Sequence, residues 1–131
     1  MPFTTIETRC SHDRDIETAI IDAVHAAMVA AFKIPEVDKH IRLVVHEPHR
    51  FAVPPTLGNP DLYTLVTVDC YAGRSADAKR RLYAGVVEGL EVVGIPRNHV
   101  TVIVRDHPTE NWGIRGGRAA CDVDLGFTVD V

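Results

Sequence analysis

The chain states one pattern twice, and that repeat limits its fold more than any other feature. From Ile6 the text runs IETRCSHDRDIETAIIDAVHAAMVAAFKIP and then HIRLVVHEPHRF. From Val66 it runs VTVDCYAGRSADAKRRLYAGVVEGLEVVGIP and then HVTVIVRDHPTENW. Cys10 and Cys70, Arg14 and Arg74, and Pro48 and Pro108 are each 60 apart, while Pro35 and Pro96 are 61 apart. Landmarks repeating in one order at one spacing imply a supersecondary unit built twice.

Each copy reads strand, helix, strand. The first helix is predicted to start near Asp13, with Asp15 and Glu17 in its first turn, where the helix dipole favours acids. Ile16, Ile20, Val24, Ala27 and Ala31 then recur at helical spacing as one apolar face. In the second copy Ser75 is a suitable N-cap, Ala78, Leu82 and Val86 form the face, and Gly94 with Pro96 ends the helix. The strands are predicted at Phe3–Thr8, Ile41–Glu47, Leu62–Asp69 and Val100–Arg105, all rich in β-formers.

Short connections make the strands of each unit parallel. The expected fold is therefore α/β (α+β by some schemes): two βαβ repeats in a four-stranded mixed sheet, with both helices on one face. It reads as a single domain, with a first unit over residues 2–48, a Pro- and Gly-rich connection over 49–61, and a second unit with a C-terminal loop and short strands over 62–131. The far face of such a sheet needs a cover, and an oligomer supplies one economically. The alternation Leu125, Phe127, Val129, Val131 reads as a short strand, either pairing with a neighbouring chain or closing a hairpin of its own.

Bulk properties exclude more than they assign. At 131 residues the chain can bury roughly two-thirds of its unfolded surface, enough for a true core. A net charge of −4 disfavours a nucleic-acid or anionic-membrane partner. No apolar run approaches the length of a membrane span, and no basic-then-apolar leader is present. Three cysteines, at 10, 70 and 121, form no metal-type spacing, and a reducing cytoplasm is the expected setting. His46-Glu47-Pro48-His49 is not a helical metal motif, because Pro48 excludes a regular helix. No metal and no cofactor is expected.

One residue is chemically unusual by position. Pro2 follows Met1 directly, and removal of Met1 would leave a secondary amine, a base that no ordinary side chain supplies. The plain alternative is a loose terminus in which the proline only fixes one φ angle.

The double βαβ pattern behind a Met-Pro start resembles the tautomerase superfamily. YTLVTVDCYAGRSADAK followed by ENWGIRGG is similar to the 4-oxalocrotonate tautomerase pattern of strand, Gly-Arg-Ser turn, helix and late aromatic-Gly loop. Length and layout also resemble malonate semialdehyde decarboxylase and cis-3-chloroacrylic acid dehalogenase, which are likewise fused double units. Position 63, where a second proline would fall, is Tyr63, so one prolyl site is expected. The resemblance implies a homotrimer acting on a small-molecule carboxylate.

It also implies roles, residue by residue. Pro2 is the general base, its basicity lowered by apolar surroundings and nearby cations. Arg74 is the carboxylate clamp, its planar fork suiting a bidentate pair; the alternative is a solvated arginine beside the Ser75 cap. Trp112 is the apolar wall, extended by Ile114 and Phe127, or else a lid packed on the sheet. Arg42 matches an arginine that polarises the carbonyl oxygen, though an exposed strand arginine fits equally. Asp38 matches an acid that assists a prolyl ammonium, against the commonplace of a turn acid. His25 matches a histidine on the first helix, against a packed or solvent-edge residue. Arg14 mirrors Arg74 in the repeat and is read as structural.

The turn departs from the decarboxylase pattern, which carries Arg-Pro-Arg where this chain has Tyr71-Ala72-Gly73-Arg74. Tyr71 either donates a hydrogen bond in place of the missing arginine or merely packs. Three functions follow: a cofactor-independent keto–enol tautomerase, a lyase or hydratase with Pro2 as acid, and a non-catalytic binding module.

Overall fold

The computed structural model describes residues 2–131; Met1, and with it the expectation that Met1 is removed, lies outside the described residues. The first unit comprises β1 (Phe3–Thr8), α1 (Arg14–Phe32) and β2 (Ile41–Val45), and the second β3 (Thr64–Tyr71), α2 (Ala76–Val93) and β4 (Val100–His107). A two-stranded hairpin of β5 (Gly113–Ile114) and β6 (Arg118–Ala119) follows. The main sheet has the order β2-β1-β3-β4. Its outer pairs are parallel and the central pair β1–β3 is antiparallel, as two βαβ units set side by side require.

Side chains alternate across this sheet. Thr4, Ile6 and Thr8 on β1 and Thr64, Val66, Val68 and Cys70 on β3 are buried beneath the helices. They meet Ile20, Val24, Met28 and Phe32 of α1 and Leu82, Val86 and Leu90 of α2 in one core. The apolar residues of the edge strands, among them Leu43, Val102 and Val104, pack on that same core. The opposite face is left to Thr5, Thr67, Ile103, Val44 and Arg42, with Ile103 45% and Val44 38% exposed. No helix or strand among the described residues covers it.

The helices cross closely because small residues face each other. A Cβ on Gly85 would stand 3.2 Å from the Cβ of Ala27, and one on Gly89 3.1 Å from that of Ala23. At the start of α2 the Ser75 hydroxyl accepts from the Ala78 amide, and at its end Gly94 takes φ 105°, the left-handed conformation that glycine adopts without strain. Asp13 occupies the N-cap of α1 without making the side-chain bond.

Several sequence expectations need correction. β2 stops at Val45, short of Glu47, while β3 starts at Thr64 and, like β4, runs two residues beyond its expected end. The 60-residue register of the repeat is also off. The N-caps Asp13 and Ser75 are 62 apart, and the left-handed caps Lys33 and Gly94 are 61 apart, because α2 is one residue shorter than α1. Two bonded pairs fix the same register: Glu7 with His46 at 2.9 Å, and Asp69 with His107 at 2.8 Å. Arg74 thus corresponds to His12 and not to Arg14, which is the first residue of α1. Cys70 corresponds to Thr8, and Thr64, not Tyr63, answers to Pro2. Cys10 is half-buried, and its thiol donates to the Asp61 carbonyl at 2.9 Å. The tail over 125–131 is not a strand in this chain.

Candidate active site

The antiparallel centre of the sheet brings the start of β1 and the end of β3 to one edge, where the start of β2 and the end of β4 also lie. Pro2 is buried there. The ladder pairs Phe3 with Asp69, so its next step brings Pro2 level with Cys70 on the helix side. On that side Thr4 donates to the Met28 sulfur at 3.2 Å, and Phe32 follows one turn further along α1. The Arg74 guanidinium carbon stands 4.8 Å from the centre of the Phe32 ring.

Arg74 is only 5% exposed. Its Nη1 donates to the Tyr71 carbonyl at 3.1 Å, while Nε and Nη2 meet the neighbouring Cys70 and find no nitrogen or oxygen acceptor among the described residues. Burial lowers its pKa, an effect opposed by the neighbouring Cys70 and Asp106. Asp106 is bound by Lys79 at 2.6 Å and lies 3.5 Å from the Cys70 sulfur. Burial pushes the Cys70 thiol up to about 11.

Rings form the other wall. Phe3 stacks on His40 at 4.5 Å and tilts against Trp112 at 5.9 Å; Tyr71 and His107 meet Trp112 edge-on at 4.9 and 5.7 Å. Asp38 pairs with His40 at 3.3 Å, and after burial its charge is the main influence raising the Tyr71 phenol. Ile114 packs with Tyr71 and Ala120, with Trp112, Phe127 and Val129 around them. Pro2, Asp38, Tyr71, Arg74, Trp112 and Ile114 are therefore gathered at one sheet edge from four separate stretches of chain.

Arg42 and His25 are not. Arg42 sits opposite Thr5 on the open face of β2, exposed. His25 donates through Nε2 to the Glu36 carbonyl at 2.8 Å and lines a groove of about 450 Å³ with Asp22, Glu36 and Lys39. This groove shares no lining residue with the pocket at the sheet edge.

That pocket, of about 290 Å³, is lined by Phe3, Asp69, His107, Asn111 and Trp112. Pro2 and Arg74 do not line it. Asp69, His107 and Asn111 were not singled out in the sequence. Asp69 is raised by burial, but bonds from Arg105 and His107, each 2.8 Å, outweigh this and hold its carboxyl below the usual range. The pair is 38 residues apart in sequence, and only the β3–β4 register brings it together. Among the described residues no group of His, Cys, Asp and Glu side chains has the arrangement of a metal site. No helix among the described residues is long and apolar enough to cross a membrane.

Fold and site together define a fused double βαβ protein with its candidate site at the edge where the amino-terminal strand begins. The family model described as tautomerase enzyme matches residues 38–115, and the chain belongs to that family. Among solved structures it is similar to FG41 malonate semialdehyde decarboxylase inhibited by 3-bromopropiolate, with 27% identity over 89% of this chain and 92% of that one, and a TM-score of 0.80. Native fused 4-OT gives 22% identity, 95% and 99% coverage and a TM-score of 0.83. A fused 4-OT described as a symmetric trimer gives 23% identity, 91% and 96% coverage and a TM-score of 0.80. At these lower identities the likeness to fused 4-OT is one of fold.

Proposed function

We propose that this chain is a cofactor-independent keto–enol tautomerase acting on a small 2-keto or enol carboxylic acid, with the Pro2 nitrogen as general base once Met1 is removed. The observation that carries the reading is the burial of Pro2 at the edge where Arg74, Asp38, Tyr71 and Trp112 converge. An amine in such surroundings is disfavoured as an ammonium by desolvation and by the Arg74 cation, so it is free to take a proton near neutral pH. It removes the proton from the enol oxygen, or from the carbon beside the carbonyl, and returns it to the other atom. Arg74 binds the carboxylate and steadies the developing oxyanion, and Trp112 with Ile114 keeps water out.

Pro2→Ala, with Met1 removed, leaves a primary amine without the ring's basicity and geometry. Turnover should fall by roughly 10²–10⁴, the usual worth of a positioned general base. Full activity in that variant would rule the mechanism out.

Asp38 favours a second reading. Its contact with His40, and its influence on Tyr71, place a carboxylate beside the start of β1, where it can hold the Pro2 ammonium protonated. Pro2 would then serve as acid in a lyase or hydratase acting on a 3-oxo or unsaturated acid. The likeness to a malonate semialdehyde decarboxylase agrees with this alternative.

We also infer a homotrimer, in which the uncovered sheet face of each chain is buried against its neighbours. Arg42, on that face, then reaches a neighbouring chain's site, where it polarises the substrate carbonyl. His25, on the far flank of α1, has no part in this scheme. The reaction belongs in the cytoplasm with other small-acid chemistry, and the cysteines, all free, need no oxidising compartment.

A further inference from the structure

The pocket of about 290 Å³ at the sheet edge has a chemistry of its own. Phe3 and Trp112, with ring centres 5.9 Å apart and planes tilted by 31°, form one continuous aromatic wall. Asp69, His107 and Asn111 supply its polar side. Phe3 pairs with Asp69 across the central ladder and Tyr71 with His107 across the next, so these side chains share the sheet face away from the helices. Arg74 lies on the helix side, beside Phe32 and Cys70.

The charges at this pocket are already paired. Asp69 accepts from His107 through Oδ1 and from Arg105 through Oδ2, each at 2.8 Å. Burial works against it, but those bonds keep its carboxyl below the usual range, so it is ionised at neutral pH. An ionised carboxylate only accepts, so His107 Nε2 carries the hydrogen and a neutral ring keeps a lone pair on Nδ1. Trp112 meets that ring edge-on at 5.7 Å. Beyond Phe3 stands His40, stacked at 4.5 Å and held by Asp38 at 3.3 Å. Among the described residues the lining holds no lysine or arginine.

This combination discriminates between ligands. A carboxylate would sit beside the Asp69 anion with no free cation to meet it, and an unpaired charge is costly to desolvate. An ammonium would find both Asp69 oxygens taken. An uncharged ring gains by packing on Phe3 and Trp112, and a hydroxyl on that ring can donate to an imidazole nitrogen and accept from the Asn111 amide. The volume suits one substituted ring, since a cavity of about 150 Å³ already holds benzene.

We propose that this pocket binds a small phenol, its ring against Phe3 and Trp112 and its hydroxyl donating to His107, whose tautomer Asp69 fixes. Binding is read without turnover, and neither Pro2 nor Arg74 lines the pocket, so this site and the proposed reaction can fail separately. The pocket lies at the rim of the face that a trimer would bury, and the full chain is therefore used in its own assembly state.

Trp112 is the only tryptophan, so its emission reports this wall directly. The chain is titrated at pH 8, above the ordinary imidazole range, with phenol, anisole and benzoate. Anisole keeps the ring and loses the donor; benzoate replaces the hydroxyl by an anion. Phenol should change the emission saturably and bind about fivefold more tightly than anisole, as one net hydrogen bond implies, with benzoate weaker than phenol. A linear loss of emission that never saturates, equal affinity for phenol and anisole, or tighter binding of benzoate would each overturn the site. Two variants then locate the hydroxyl. His107→Phe keeps a ring beside Trp112 and removes the acceptor, so the preference for phenol over anisole should disappear. Asp69→Asn keeps the histidine but offers an amide that can donate to Nε2, which releases the other tautomer and should shrink the preference. A preference that survives His107→Phe would overturn the site, and one that survives Asp69→Asn would overturn the part given to Asp69.

Discussion

Cys70 is fully buried between Arg74 and Asp106, and its thiol, pushed up to about 11 by burial, is a poor nucleophile at any ordinary pH. A thiol reagent at pH 8 should therefore modify exposed Cys121 first and half-exposed Cys10 more slowly, leaving Cys70 until the chain unfolds. Rapid loss of a third thiol from native protein would mean that the Arg74 side of the site is open. Asp69 carries the complementary pH effect. Its folded pKa lies below the ordinary carboxylate value, so its bonds to Arg105 and His107 add stability above about pH 4, and that stability is lost as pH falls through the depressed value. Asp69→Asn should flatten the acid side of a stability-against-pH curve, followed by denaturant titration from pH 3 to 6. Neither residue stood out in the sequence as titratable and placed. Cys70 reads as a small core hydrophobe, which it is, and Asp69 gains its meaning only from a histidine on another strand.

At the scale of elements, strands and helices were legible because their periods are strong. The β1 range Phe3–Thr8 and the Ser75 and Gly94 caps of α2 stand as read. The register of the repeat was not legible. Chance identities at Cys10/Cys70 and Arg14/Arg74 suggested a spacing of 60, whereas equivalent caps and bonded pairs lie 61 or 62 apart. The physical signal is geometric: an N-cap must precede its helix, and a single residue lost within α2 shifts everything after it. The tail misled for a different reason. Alternating apolar residues fit a strand, but Leu125, Phe127 and Val129 pack around Tyr71 and Ile114 instead. Small residues at the helix crossing carry a prediction of their own. Gly89→Leu places a branched side chain where even a Cβ meets Ala23 at 3.1 Å, and overpacking of this kind typically costs about 1–3 kcal/mol. Denaturant unfolding should show a lower midpoint with little change in slope; a midpoint equal to the parent's would mean that the helices can part without loss.

For the whole molecule, the distribution of apolar surface has a further consequence. The helices cover one sheet face, and the other presents threonines with Val44 and Ile103 to its surroundings. If that face is the interface of a trimer, Ile103→Lys places a charge of each copy within it and should yield monomers by light scattering. Activity should fall with assembly if Arg42 acts across the interface. A variant that remains trimeric would show that the copies meet elsewhere. Most of the candidate site was legible at the level of residue types, since Pro2, Arg74, Asp38, Tyr71, Trp112 and Ile114 do converge. What remained hidden was the pairing of Asp69 with His107, which only the β3–β4 register brings together.

The central claim is that the Pro2 nitrogen is a free base at working pH, and a pH titration of that nitrogen tests it most directly. The measurement uses NMR on protein carrying labelled proline, expressed without a tag. The account predicts a titrating secondary amine with a pKa near or below about 7, under the unperturbed α-amino range of about 7.7–8.0. A value well above that range would contradict the base and favour the acid-catalysed lyase. No prolyl titration at all, with Met1 retained, would contradict both.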